Sequence, residues 1–406
     1  MPVPIADMGF ADGLVDKRML IRVGCRARLL AMLGTGMLGT RVKNKPLFGF
    51  DLPCLLVSGG SSAVSCCLCS RVIAGLAADR LNRRPHGWYT SMLLIATDEA
   101  GYGPKLGPLI ITGTAWEVQG HPDRESLDRL FLPLREPHLC GDISVVVDDS
   151  KAVFKPSSGL AGLHAVVSAC MHWCKRPENS LLAALPWLAS KDYEAIRSTP
   201  WLEMQDHDEP WVIESETKEC LETWQSTGLK LVGVSSRVIT AKQFNAFCEG
   251  GANKADMLSQ TTLNLVKTML AEHQGNSDFV DVYCDRHGGR RYYAGVLQHV
   301  FSEYLAQVHS ETANESSYLL TGSGPEVSVR FTVKGDRFSP VALASMHAKY
   351  VRERCMQALN RYFADRHSGN LKPTAGYPAD ADRYLASIAE VVDREKIKQE
   401  HLIRAR

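Results

Sequence analysis

Residues 92–108 read MLLIATDEAGYGPKLGP. Met92–Thr97 is a short, mainly apolar run closed by two carboxylates, Asp98 and Glu99. An unbroken run of this kind is the pattern of a strand buried on both faces. Gly101, Gly103, Pro104, Gly107 and Pro108 then make a tight turn. A second strand pattern, Leu109–Val118, follows at once. The stretch therefore predicts a β-hairpin whose first strand ends in acids.

Working toward the C-terminus, Ile143–Val147 reads as a third strand leading into Asp148-Asp149-Ser150-Lys151. Leu160–Cys174 reads as a helix, Lys230–Ile239 as a strand, and Met257–Leu270 as a helix on the spacing of Leu258, Thr262, Leu265, Val266 and Met269. Phe279–Cys284 is a buried strand ending at Asp285, and Tyr292–Leu305 has helical character. Val327–Val333 alternates like a strand and ends at Lys334-Gly335-Asp336. Pro340–Phe363 predicts a long helix with proline in its first turn, and Ala381–Val392 a final helix after the turn Gly376-Tyr377-Pro378. This order predicts an α/β fold, a mixed sheet flanked by helices with a C-terminal helical part. Residues 175–226 have weak periodicity; Trp187, Trp201, Trp211 and Trp224 either pack a small lobe there or line a binding surface.

Working toward the N-terminus, the net charge of +1 divides unevenly. Residues 1–91 hold 12 Lys+Arg, 5 Asp and no Glu, whereas 92–406 hold 34 basic and 40 acidic residues. The first part reads as a weakly structured extension from a start codon upstream of Met92, or as an Arg-rich targeting segment. Its Gly34-Thr-Gly36-Met-Leu-Gly39 fits a dinucleotide-binding pattern but has no βαβ context. Composition excludes collagen-like, coiled-coil and wholly disordered chains, and no apolar run is long enough for a membrane span. The 12 cysteines are scattered, which argues against a disulfide framework and for a reducing, cytoplasm-like compartment. Cys170-Met-His172-Trp-Cys174 could form one edge of a zinc site, without a second pair of ligands in view.

The acids at strand ends carry the functional signal. Asp98-Glu99, Asp285 and Asp336 each close a strand pattern. Carboxylates are costly to bury unpaired. Several on one sheet suit a hard divalent cation such as Mg²⁺ or Mn²⁺, which takes oxygen ligands. A pair of such ions can promote phosphodiester cleavage.

The local sequences carry a resemblance. Asp98-Glu99-Ala100-Gly101-Tyr102-Gly103-Pro104 with Leu106-Gly107-Pro108 resembles the opening motif of type 2 ribonuclease H, the ribonuclease HII family of the ribonuclease H-like superfamily. In the family's order follow Asp149-Ser150-Lys151, the helix Ala255–Leu270, Val282-Tyr283-Cys284-Asp285 and Val333-Lys334-Gly335-Asp336. The helix Ala344-Ser345-Met346-His347-Ala348-Lys349-Tyr350-Val351-Arg352-Glu353-Arg354 and the turn Gly376-Tyr377-Pro378-Ala379-Asp380 complete the set. The resemblance covers residues 92–392, with insertions at 175–226 and 286–325, and leaves 393–406 as a tail.

The resemblance implies a ribonuclease H-like fold and a metal-dependent endoribonuclease. It would hydrolyse the RNA strand of RNA–DNA hybrids and ribonucleotides embedded in DNA. The four acids Asp98, Glu99, Asp285 and Asp336 would be both catalytic and metal-binding. Gly101 and Gly103 would bring backbone close to the ribose 2′-OH, the group that separates RNA from DNA. Ser150 and Lys151 would contact phosphate, and Tyr377 would stack on the sugar beside the ribonucleotide. Tyr102, Lys334 and Lys349 fall in the same motifs and are expected at the nucleic acid. A monomer without membrane attachment is expected.

The sequence also departs from the family. Tyr102 stands where the family has arginine and loses a permanent planar charge. Arg286, Arg290 or Arg291 either replace that charge or solvate a helix start. Glu353 replaces an aspartate and keeps its carboxylate. Lys105, Lys151, Lys155, Lys334, Lys349, Arg352 and Arg354 cluster near the motifs, as a basic groove on an acidic protein would require. Lys349, Arg352 and Arg354 alternatively form a solvated helix face. The rival reading is a non-catalytic or substrate-shifted nucleic-acid-binding protein on the same fold.

Overall fold

The computed structural model describes residues 91–406 apart from 155–158, 204–208, 252, 276, 278 and 406. The expectations for residues 1–90 and for Lys155 lie outside the described residues.

The hairpin predicted from residues 92–118 forms the middle of a sheet. β1 (Ser91–Ala100) pairs antiparallel with β2 (Leu109–Gln119), with Asp98 opposite Thr112. β3 (His138–Cys140) and β4 (Ile143–Val145) form a separate two-stranded ribbon, joined by Gly141 at φ +59° and Asp142. The strand read at Ile143–Val147 is present as Ile143–Val145, but outside the main sheet. The tight Gly141-Asp142 turn pairs it locally instead.

β5 (Lys230–Ile239), β6 (Phe279–Asp285), β7 (Tyr304–Glu311), β8 (Glu315–Gly322) and β9 (Glu326–Thr332) complete a seven-stranded sheet in the order β5-β2-β1-β6-β9-β8-β7. β1, β6 and β9 are adjacent and parallel, and the other pairings are antiparallel. The expected α/β mixed sheet is therefore present.

Successive β1 side chains enter two cores. Leu94 and Ala96 pack on the side of the long helix Ser339–Ala364, and Leu93 and Ile95 on the side of the helix Lys254–His273. Burial on both faces is the reason the run is continuously apolar. Trp201, Trp211 and Trp224 are buried in the first core, so those tryptophans pack rather than line a surface. Trp187 is half-buried, with the Arg176 guanidinium 3.8 Å above its ring.

Two parts of the reading change. The helix expected at Tyr292–Leu305 shortens to Ala294–Val300, and β7 begins at Tyr304. Residues 286–325, read as an insertion, thus lengthen the sheet beyond β9. The final helix divides into Pro378–Ser387 and Ala389–Arg394, followed by the short Gln399–Leu402. Among the described residues no helix is long and apolar enough to cross a membrane.

Candidate active site

The sheet order places the acids. Thr97 is level with Cys284 across the parallel β1–β6 pair, so Asp98 and Asp285 leave neighbouring strand ends side by side. Asp285 pairs with Thr332 of β9, and Asp336 lies in the turn Gly335–Arg337 just beyond that strand. Carboxyl ends of parallel strands are where α/β sheets bind ligands.

Two backbone amides fix the carboxylates. The Glu99 N–H donates to Asp98 Oδ1 at 2.7 Å, and the Gly335 N–H donates to Asp285 Oδ1 at 2.7 Å. A Cβ at Gly335 would lie 3.0 Å from Asp285 Cα, so a side chain there would crowd the strand end that carries the acid. Lys334 before it holds φ +57°, a left-handed conformation unusual for lysine.

The carboxylates raise one another's pKa. Burial first and then the charge of Asp285 push Asp98 up to about 7, against hydrogen bonds from Ser345 and the Glu99 amide. Burial, Asp98 and Asp285 raise Glu99 well above the usual carboxylate range. Burial and Asp336 raise Asp285, and Lys151 acts on both Glu99 and Asp285 in the opposite direction. Mutually repelling hard oxygens short of counter-charge are a donor set suited to Mg²⁺ or Mn²⁺. Among the described residues no three His, Cys, Asp or Glu side chains stand as a closed set of metal ligands. The acids are thus neighbours whose oxygen chemistry suits a divalent cation, although among the described residues no three of them form a group that could hold one.

The glycine-rich loop borders the acids. Gly101 has φ +86°, and a Cβ there would lie 2.5 Å from Arg352 Nε. Tyr377 is exposed and sits over Gly103, its ring 3.8 Å from where a Cβ would be. Tyr102 covers Gly288, and the Lys254 ammonium lies 4.2 Å from the centre of its ring. Ser150 is buried with its Oγ 3.1 Å from that of Ser345, which bonds Asp98, so it reaches the acids through another side chain. Lys151 and Lys334 are exposed.

Other basic residues are committed elsewhere. Lys349 pairs with Glu353 at 2.7 Å and lies over the Phe154 ring. Arg352 is buried, bonded to Glu353 and to the Ala375 carbonyl. Arg354 is also buried and meets Glu209. Arg352 and Arg354 thus face inward, which corrects the reading of a solvated helix face. Arg286 donates to the carbonyls of Ala313 and Thr312, Arg290 pairs with Asp256, and Arg291 holds the Glu311 carbonyl. Arg286 and Arg291 thus tie the 286–316 segment to itself, and Arg290 ties it to the helix Lys254–His273. Lys254, which no motif singled out, is the cation beside Tyr102. The Cys170–Cys174 segment is structural: His172 Nε2 meets the Val212 carbonyl at 2.7 Å and the Cys174 thiol donates to Leu231. The seven described cysteines are free.

No family model and no curated protein matches the chain. Among solved structures it is similar to Bst ribonuclease HIII in complex with Mn²⁺, at 16% identity and a TM-score of 0.36, over 78% of this chain and 67% of the other. It is similar to ribonuclease H2 from Pyrococcus horikoshii at 14% identity and a TM-score of 0.34, over 77% of this chain and 92% of that one. For the ribonuclease HII of Archaeoglobus fulgidus, solved with PCNA, the figures are 12%, 0.32, 78% and 94%.

Proposed function

We propose that the chain is a metal-dependent endoribonuclease that cuts the RNA strand of RNA–DNA hybrids and ribonucleotides embedded in DNA, with residues 92–392 as its catalytic domain. The observation that carries this reading is the gathering of Asp98, Glu99, Asp285 and Asp336 at adjacent strand ends, beside a loop in which Gly103 is uncrowded. Those four carboxylates would hold the divalent ions. Such ions, when bound, supply activation of water and neutralisation of charge on the leaving oxygen.

The chain's own residues do the rest. A Cβ at Gly103 would meet only the Tyr377 ring, at 3.8 Å, so the backbone there can approach a ribose 2′-OH. Tyr377, beside it, offers a flat exposed ring for the adjoining sugar or base. Lys151 and Lys334 bring positive charge to the rim, where it favours phosphate. Ser345 and the Glu99 amide hold the Asp98 carboxylate in place.

Tyr102 and the lack, among the described residues, of three acids grouped to hold a metal ion favour the rival reading, a binder or a nuclease with a shifted substrate. One experiment separates them. The protein is incubated with a duplex carrying one embedded ribonucleotide, and separately with a uniform hybrid, in Mg²⁺ and in Mn²⁺. Both substrates should be cut, and Asp98→Asn should lower turnover by about 10³-fold while leaving folding and duplex binding intact. Cutting of the uniform hybrid alone would show a shifted substrate. Absence of any cutting would leave only the binder.

A further inference from the structure

Beyond the acids, on the β9 side, lies a cavity of about 530 Å³ at the carboxyl ends of β6 and β9. Three cations line it: Arg124, Lys334 and Arg337. Glu315 is its one acidic lining residue and lies 4.0 Å from Arg330. Arg124 is held over two rings, with its guanidinium carbon 4.4 Å from the centre of Phe338 and 4.8 Å from that of Tyr283. Its Nε also pairs with Asp128 at 3.2 Å, so part of its charge is compensated. Lys334 and Arg337 have no ion-pair partner among the described residues, and they flank Asp336 in sequence.

We propose that this cavity is a phosphodiester subsite, holding one phosphate of the bound strand and its sugar next to the cutting centre. The inference rests on the nuclease reading for its substrate but on different residues for its evidence. A guanidinium stacked on aromatic faces keeps its planar fork in place, which suits phosphate. Asn314 adds an amide donor, while Phe338 and Val341 give apolar wall for a sugar. The volume exceeds that of a bare phosphate and suits a phosphate with its attached sugar. A strand entering here would pass Asp336 directly, since Lys334, Gly335 and Arg337 all belong to both the cavity and the turn that carries the acid.

Binding is measured without cleavage, by fluorescence anisotropy of a labelled RNA–DNA hybrid and of a DNA duplex, with chelator present, across a salt series. Arg124→Met and Arg337→Met should each weaken both duplexes about 3–10-fold and lower the slope of log Kd against log salt by about one. Arg124→Lys, which keeps charge but not the fork, should fall between. A free 5′-mononucleotide added as competitor distinguishes the source: displacement of the duplex only at high concentration supports the strand, and displacement at micromolar concentration assigns the cavity to a free nucleotide and overturns the proposal. Wild-type affinity and slope in both Met variants, with unchanged thermal unfolding, would overturn it too, as would a wild-type protein that binds neither duplex. Arg124-dependent binding with no cleavage would end the nuclease reading and keep the subsite. Cleavage with binding indifferent to both arginines would do the reverse.

Discussion

Gly101 and Gly103 stand two apart in the same loop, yet their surroundings differ. A Cβ at Gly101 would meet Arg352 Nε at 2.5 Å and the Pro108 carbonyl oxygen at 2.8 Å, at φ +86°. The arginine head could move, but the carbonyl is backbone. Gly101→Ala should therefore cost about 1–3 kcal/mol, read as a lower thermal midpoint, and lower turnover with it. At Gly103 the nearest atom would be the Tyr377 ring at 3.8 Å, an ordinary contact. Gly103→Ala should keep the wild-type midpoint and, on the nuclease reading, raise KM, because the methyl would occupy space the ribose would approach. Equal losses of stability in the two variants would contradict this. The two glycines and the four acids were legible from sequence because each lies in a short contiguous pattern. What lies under the loop was not: Arg352 is 251 positions on in the chain and reads by spacing as surface, but is 2% exposed. Lys254 beside Tyr102 was hidden for the same reason, since only the fold brings the two together.

The helix Ser339–Ala364 differs by one residue at each end from its reading as Pro340–Phe363, because proline in the first turn and a long apolar stripe mark it strongly. It carries a test of its own. His347 is fully buried, its Nδ1 2.9 Å from the Leu343 carbonyl and its Nε2 without a partner. Burial holds its pKa down to about 4. The unfolded chain, with an ordinary histidine near 6.5, binds the proton first. The contribution of neutral His347 is thus fully present above about pH 6.5 and is lost as pH falls toward 4. It amounts to roughly 3 kcal/mol in order of magnitude. His287, buried and held down to about 3, acts with the same sign. Unfolding of wild type against His347→Met from pH 7 to 4 isolates the first: the variant should lose less stability, and parallel curves would disprove the assignment. The strands β7 and β8 escaped the sequence because their patterns are weak. β7 is an edge strand with Leu305 and Val308 exposed, and β8 turns Ser316 inward at a position where an apolar residue would have completed the alternation.

At the scale of the whole molecule, residues 393–406 carry no motif and read as a tail, yet they return to the glycine-rich loop. Ile403 bridges to Leu106, and the Arg404 N–H donates to the Lys105 carbonyl at 3.0 Å. The buried Arg404 guanidinium donates to the Pro104 carbonyl, and burial with the nearby Arg352 lowers its pKa to about 9. Asn245 pins the segment from the other side: its amide donates to the Glu400 and Ile403 carbonyls at 2.8 Å each and accepts from the Ala405 N–H. Behind the loop, the amides of Lys105 and Leu106 donate to the Gly376 carbonyl, next to Tyr377. The loop that borders the acids is thereby clamped between two segments about 270–300 positions later in the chain. Nothing local in the sequence encodes such a clamp, since it consists of backbone bonds, one asparagine and one arginine, all distant from the loop in the chain. It makes Asn245 a positioning residue for a site it does not touch. Asn245→Ala takes the partner from two part-buried carbonyls and one amide, which should cost about 1 kcal/mol. More tellingly, amide hydrogen exchange at Lys105 and Leu106 should quicken while that in β1 and β6 stays slow. On the nuclease reading, KM for the embedded ribonucleotide should rise more than kcat falls. Unchanged exchange at 105–106 in a destabilised variant would show that the segment merely packs and does not hold the loop.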